Sequence, residues 1–133
     1  MTSPVRTHRP AESPAALLAL LEDAFNRRDV DAYLAPYEDD AVFVVPPEGH
    51  VARGPGEIRS ALLELFELEP ALSISFERTV EGDGLALSYA HWVLLAAPDD
   101  GERVHLTGRG AMVARRRPDS SWGIVLEDPL SAS

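Results

Sequence analysis

The stretch 24–45 constrains the fold most, because three secondary-structure elements follow one another there with almost no linker. An apolar helix face ends at Asn26, and Asp29 is placed to cap a short second helix that runs as far as Tyr37, with Pro36 in its last turn. A strand with alternating apolar residues then leaves Asp40 and is stopped by Pro46. A start of this kind predicts a layer of helices packed against a sheet.

The remaining chain contains the other parts that such a fold needs. Ser13 followed by Pro14 predicts the start of the first helix, and Pro55 predicts the start of a third after a polar loop at 48–54. From residue 71 onward, apolar residues recur at every second position, and turn-forming residues divide this part into four strands. Neighbouring strands joined by short turns form an antiparallel meander, so the predicted class is α+β.

Length, charge and cysteine content limit the function classes. We expect 133 residues to form one domain at 14–133 behind a flexible polar arm at 1–13. The formal net charge of −10 argues against nucleic acid and anionic membranes as partners. The absence of cysteine from the sequence excludes disulfides, thiol nucleophiles and cysteine-bound zinc. With no apolar run of membrane-spanning length and no signal-peptide pattern, we expect a cytoplasmic protein.

Several motifs carry a resemblance to a known family. They are FNRRDVD at 25–31, YEDDA at 37–41, Gly54 with EIR at 57–59, and RRRPDSSW at 115–122 with the later pair Asp128-Pro129. In these motifs the chain resembles the nuclear transport factor 2-like superfamily and, within it, the SnoaL-like group of polyketide cyclases. The resemblance implies a curved, mostly antiparallel sheet wrapped as a cone around three helices (a cystatin-like α+β barrel). It also implies an internal pocket and homodimers that pair through the outer sheet face.

One activity of that superfamily can be tested residue by residue. Ketosteroid isomerase chemistry needs a carboxylate base and two acidic hydrogen-bond donors in an apolar pocket. The resemblance places the base at Val45, one donor at Leu21, and the other at Gly110 or Arg109. None of these residues can serve as the required acid or base, so the sequence rejects that mechanism.

The same register predicts a histidine on the pocket wall. It turns Tyr89, His91 and Val93 of the strand at 85–97 inward and Trp92 outward. An imidazole among apolar neighbours is suited to proton transfer, since its ordinary pKa of about 6.5 lies near working pH. The alternative reading of His91 is a half-buried histidine with a satisfied hydrogen bond.

Asp128 is the second catalytic candidate, as a base or as the partner of His91. If Asp128 and Arg109 both point inward they form an acid–cation pair beside the pocket, whereas outward they form an ordinary surface pair. A shift of one residue reverses the face of a strand, so both alternatives stay open. The other predicted ligand contacts are aromatic or apolar wall residues and a loop histidine: Tyr37, Phe43, Val45, Met112 and His50.

These observations predict a SnoaL-like pocket protein that binds a small apolar organic molecule. If it is an enzyme, we expect cofactor-independent isomerisation, dehydration, cyclisation or epoxide opening. The alternative is a non-catalytic dimeric module for ligand binding or association, based on an apolar outer face carrying Ala90, Trp92 and Leu94. No histidine pair has ligand spacing and no glycine-rich strand–helix turn is present, so we expect neither a metal nor a nucleotide cofactor.

Overall fold

A computed structural model describes residues 11–46, 48–97 and 101–132 of the protein. The helices are α1 (Pro14–Asn26), α2 (Val30–Leu34) and α3 (Gly54–Phe66), and the strands are β1 (Tyr37–Val45), β2 (His50–Arg53), β3 (Pro70–Glu81), β4 (Leu85–Ala96), β5 (Val104–Arg116) and β6 (Trp122–Ala132). None of the helices in these ranges has both the length and the apolar character needed to cross a membrane. Most of the arm predicted at 1–13 lies outside the described residues, so that boundary stays a prediction.

The strands form one curved sheet in the order β2-β1-β6-β5-β4-β3. Strands β3 to β6 are an antiparallel meander, as the alternating sequence predicts. Strand β1 runs antiparallel to β2 but parallel to β6, which makes the sheet mixed. The predicted α+β class and mostly antiparallel sheet are therefore confirmed. The turn predicted between β4 and β5 falls largely at 98–100, outside the described residues.

The helices cover the concave face of the sheet. The Ser13 side chain caps α1 by accepting a hydrogen bond from the Ala16 amide at 3.1 Å. Leucines at three- and four-residue steps, among them Leu17 and Leu21, then bury one face of α1 completely. Ile58 and Leu62 do the same for α3, so the core lies between the helices and the sheet.

Polar side chains of α1 fasten the edge strand β3. The Asn26 amide donates to the Leu72 carbonyl at 2.9 Å and accepts from the Leu72 N–H at 2.8 Å. The Glu22 carboxylate accepts from the Ile74 N–H at 2.9 Å. These bonds replace the missing neighbour of an edge strand and hold Leu72 and Ile74 against the helical layer.

Two local predictions are wrong. Tyr37 opens β1 instead of continuing α2, because Pro36 has no backbone N–H to extend the helix and its carbonyl accepts a hydrogen bond from the Ile124 N–H of β6 at 2.7 Å. The loop predicted at 48–54 contains the edge strand β2, which pairs with β1 through its backbone. Its four residues are too few to show an alternation, and its two apolar residues, Val51 and Ala52, are adjacent.

Candidate functional site

An apolar cavity is the candidate site. It lies between the helical layer and the concave sheet face and holds about 670 Å³ of empty space, including its open mouth. Its lining is Leu18, Phe25, Tyr33, Phe43, Pro46, Leu65, Leu72, Ile74, Ser88, Ala90, Trp92, Leu94, Gly110, Ala111, Met112, Glu127 and Pro129.

Small residues at the centre of the sheet leave this space open. Ala90 faces inward on β4, and its partner on β5 is Gly110. A Cβ added to Gly110 would lie 2.8 Å from the Pro129 Cα, so only glycine allows β6 to approach this closely. The floor between the larger side chains therefore consists of one methyl group and backbone.

Trp92 crosses the same floor. Its indole extends over Gly108, where an added Cβ would come within 2.9 Å of the ring. The indole Nε1 donates a hydrogen bond to the Pro129 carbonyl of β6 at 2.8 Å. Trp92 is thus held from β4 across β5 to β6, with its polar atom already satisfied.

Glu127 is the carboxyl group of the cavity. Sheet pairing sets it opposite Met112 of β5 on one side and Phe43 of β1 on the other. The Tyr37 hydroxyl donates a hydrogen bond to Glu127 Oε1. Burial raises the pKa of Glu127 to about 7, and the Tyr37 bond opposes this rise because it favours the charged form.

Two stacked tyrosines flank this carboxyl group. The rings of Tyr33 and Tyr37 lie 5.7 Å apart with 22° between their planes. Burial, and then the charge of Glu127, raise the pKa values of both phenols well above the ordinary value of 10. Both hydroxyl groups therefore stay neutral over the working pH range and can only donate or accept hydrogen bonds.

The remaining polar side chains of the lining are bonded within the protein. Ser88 shares a hydrogen bond of 2.9 Å with Thr79, and the Trp92 bond is described above. Among the described residues that line the cavity there is no arginine or histidine. None of the described groups donates to Glu127 Oε2, and no buried polar side-chain atom in these ranges lacks a partner, so Oε2 keeps accessible surface on a residue that lines the cavity.

The sequence matches a family model over most of its length. That model describes the SnoaL-like domain and covers residues 17–122. The chain belongs to the SnoaL-like domain family. The resemblance in the helix-junction and strand motifs is thereby confirmed. No curated protein matches the chain.

Solved structures similar to this SnoaL-like domain share its fold. A ketosteroid isomerase-like protein from Erwinia carotovora atroseptica has a TM-score of 0.74 and 21% identity, covering 85% of this chain and 88% of that chain. A conserved protein from Planctomyces limnophilus has a TM-score of 0.77 and 21% identity, covering 87% and 91%. A proposed aromatic ring hydroxylase from Novosphingobium aromaticivorans has a TM-score of 0.74 and 25% identity, covering 90% of each chain. The first two likenesses establish the fold alone.

The inward face predicted for β4 is wrong in this SnoaL-like domain. Tyr89, His91 and Val93 lie on the outer sheet face, and Trp92 lies inside. The exposed His91 contacts the Thr107 hydroxyl at 3.1 Å and does not reach the cavity. Because β4 is apolar on both faces, its alternation could not determine which face is buried, and a register shifted by one residue reversed the answer. The prediction that Ala90, Trp92 and Leu94 form an apolar outer face is also wrong, because all three residues are buried.

The carboxyl group at the cavity belongs to Glu127, one residue before the predicted Asp128. Asp128 pairs with Ala111 on the outer side, and its Oδ1 accepts the Leu130 N–H at 3.0 Å. Arg109 also lies on the outer face, where its Nε binds Glu77 at 2.7 Å. The acid–cation pair beside the pocket is therefore wrong, and Glu127 is the residue that the sequence reading missed.

The other predicted contacts divide into three groups. Phe43 and Met112 line the cavity, although contact with a ligand stays a prediction. Tyr37 is buried and acts on the site through its bond to Glu127. Val45 is buried next to the lining residue Pro46, whereas His50 is exposed at the start of β2. Among the described residues, no cluster of three acids or histidines could hold a metal ion. The predicted homodimer stays a prediction.

Proposed function

We propose that this protein is an acid–base enzyme that moves a proton on a small, uncharged, largely apolar organic molecule. The single observation behind the proposal is a carboxyl group, Glu127, that opens on an apolar cavity with a pKa of about 7. A pKa near working pH keeps both protonation states populated, as general acid–base catalysis requires. Tyr37 fixes one oxygen of the carboxyl group, which leaves the other for the substrate.

The charge of the lining supports an uncharged substrate. An anionic ligand would face Glu127 without a cation among the described lining residues to balance it. The aromatic and aliphatic walls instead favour a ligand body made of carbon and hydrogen. One polar group on the ligand can then form a hydrogen bond with Glu127 Oε2, the oxygen that Tyr37 does not bind.

A carbonyl compound is the substrate class that suits this arrangement. The ionised Glu127 takes a proton from the carbon next to the carbonyl, giving an enolate and a neutral carboxylic acid. Tyr33 also lines the cavity, and its hydroxyl is hydrogen-bonded to Tyr37, so it supports the Tyr37–Glu127 bond that holds the carboxyl group in place. Glu127 then returns the proton to the same or a conjugated carbon, which completes exchange or isomerisation.

Deuterium exchange tests this proposal without knowledge of the natural substrate. The name of one similar structure, the proposed aromatic ring hydroxylase, makes ring compounds a suitable probe set. We expect the wild type to catalyse deuterium uptake from D2O next to the carbonyl of 2-decalone, followed by NMR. Glu127→Gln should lower the enzymatic rate by about 100-fold or more, the usual contribution of a positioned acid–base group.

Asp128→Asn is the matched control, because it removes the neighbouring carboxyl group on the opposite face of β6 and keeps the Oδ1 acceptor for Leu130. It should exchange deuterium at the wild-type rate. Equal exchange rates for wild type and Glu127→Gln would contradict the proposal.

A second candidate function is ligand carriage without turnover. It is favoured by the polar groups of the wall, since Ser88 and Trp92 are already bonded within the protein and leave few partners for a reacting molecule. This candidate predicts that 2-decalone binds in a Glu127-dependent manner while no deuterium is incorporated.

A further inference from the structure

The backbone at Tyr37, the residue bonded to Glu127, lacks the regular pairing that holds the rest of β1. Tyr37 pairs with Ile124 of β6. The next pair of these two strands is Val42 with Leu126, so β1 advances five residues while β6 advances two, and β1 bulges between them. The other neighbour, β2, pairs with β1 only from Val42 onward. The position of Tyr37 therefore depends on contacts other than a continuous strand ladder.

An arginine from the turn between β5 and β6 supplies two of those contacts. Arg117 Nη2 donates a hydrogen bond to the Pro36 carbonyl at 3.2 Å, and its Nε donates to Glu38 Oε2 at 3.0 Å. Pro36 and Glu38 are the residues on either side of Tyr37. A guanidinium group can form both bonds at once because its N–H groups point in fixed directions. One side chain thus holds the backbone before Tyr37 and the side chain after it.

The guanidinium is in turn held in place by its surroundings. The Arg117 N–H donates to the Ser121 carbonyl at 2.8 Å, and the Arg117 carbonyl accepts from the Ser120 N–H at 2.9 Å. Gly123 of β6 provides room for the side chain, since an added Cβ would lie 2.6 Å from Arg117 Nε and would also collide with the Glu38 carboxylate. Both the turn and this glycine therefore determine where the guanidinium lies.

A second arginine, Arg115, shares only part of this arrangement. Its Nε lies 3.6 Å from Glu38 Oε1, and its side chain is 52% exposed. The side chain of Arg117 is 31% exposed. The contacts described for Arg115 do not include the Pro36 carbonyl, which accepts from Arg117. Neutralising either arginine changes the net charge equally, but only the loss of Arg117 releases both neighbours of Tyr37.

We propose that Arg117 is a positioning residue that keeps the Tyr37 hydroxyl on Glu127 by holding Pro36 and Glu38. Arg117 does not line the cavity, so it acts on the site through Tyr37. In the part of the chain that the structure describes, the titratable groups next to Glu127 are Tyr37 and, behind it, Tyr33. This inference rests on the proposed function only in taking Glu127 as the acid–base group.

The protonation midpoint of Glu127, measured by NMR of carbon-13-labelled carboxyl groups, tests this inference. The Tyr37 hydrogen bond favours the charged carboxylate, so its loss raises the pKa of Glu127. We expect Tyr37→Phe to raise the midpoint by about 1 pH unit and Arg117→Gln to raise it by about half a unit or more. Arg117→Lys should act like Arg117→Gln, because lysine keeps the charge without the fixed fork of donors. Arg115→Gln, the matched control, should leave the midpoint in place.

A double-mutant cycle distinguishes positioning from a simple effect of charge. In the Tyr37→Phe background, Arg117→Gln should cause no further rise, because the bond that it positions is already absent. Equal rises in both backgrounds, or full rescue by Arg117→Lys, would overturn the inference. Gly123→Ala provides a second variant that changes no charge. It should raise the midpoint by displacing the guanidinium, whatever the stability of the Arg117 variants.

Deuterium exchange into 2-decalone separates this inference from the proposed function. In Arg117→Gln the pH midpoint of the exchange rate should rise together with the NMR midpoint. An NMR midpoint that moves as expected without any exchange by the wild type supports the role of Arg117 and contradicts the proposed function. Exchange by the wild type, with both midpoints unchanged in Arg117→Gln, overturns the role of Arg117 alone. A wild-type NMR midpoint near 4.5 contradicts both.

Discussion

Raising the pH from 5 to 8 will lower the free energy of unfolding of the wild type by roughly 2 kcal/mol more than that of Glu127→Gln. The pKa of Glu127 is about 7 in the folded protein, against an ordinary value of 4.5. The folded state therefore holds this proton more tightly than the unfolded state. Its contribution to stability is fully present below the unfolded pKa and is lost as the pH rises through the folded value.

The measurement is chemical denaturation of both proteins at pH 5, 6, 7 and 8. Glutamine keeps the shape of the side chain and does not titrate, so the difference between the two curves isolates Glu127. Asp128→Asn provides the control, because its curve should run parallel to that of the wild type. Parallel curves for wild type and Glu127→Gln would show that the carboxyl group is not held in an environment that disfavours its charge.

The second large effect is expected from Gly110→Ala, which should lower the free energy of unfolding by about 1–3 kcal/mol. The added Cβ would lie 2.8 Å from the Pro129 Cα and 3.2 Å from the Asp128 carbonyl oxygen. Both neighbours are backbone, which cannot rotate away as a side chain can. Strands β5 and β6 must therefore separate locally, and the Trp92–Pro129 hydrogen bond weakens with them.

Gly56→Ala is the matched control for this substitution. Gly56 lies in the first turn of α3, and an added Cβ would meet nothing within 4 Å. Alanine there should leave the free energy of unfolding unchanged or raise it by up to about 1 kcal/mol, since alanine favours the helix. Equal melting temperatures for wild type and Gly110→Ala would contradict the close packing of β5 on β6.

The fold was predictable because its signals are local. The cap at Ser13, the leucine spacing of α1 and the change to alternating apolar residues after Pro70 each act within a few residues. Together they fix the α+β class and the meander without any long-range information. The short strand β2 was missed because its pairing with β1 depends on backbone hydrogen bonds, and a segment of four residues gives no clear sequence pattern.

The site was only partly predictable because it depends on strand parity. Phe43 and Met112 lie on strands whose inward face the pattern identifies, and both line the cavity. On β4 both faces are apolar, so the sequence pattern placed His91 inside and Trp92 outside, the reverse of their positions in the structure. Near Glu127, register shifts in the pairing of β6 with β5 and β1 interrupt the simple alternation. From sequence alone, an acidic residue in such a segment is predicted to be exposed, and only the sheet pairing shows that Glu127 lies inside.

The protonation equilibrium of Glu127 itself can be measured directly. Carbon-13 labelling of the glutamate carboxyl groups, with Glu127→Gln to assign the resonance, gives its titration curve by NMR. We expect a midpoint at about pH 7 for this carboxyl group, displaced from the ordinary value by its burial in the apolar cavity. A midpoint near 4.5 would show a solvated carboxylate and would contradict the assignment of Glu127 as the acid–base group.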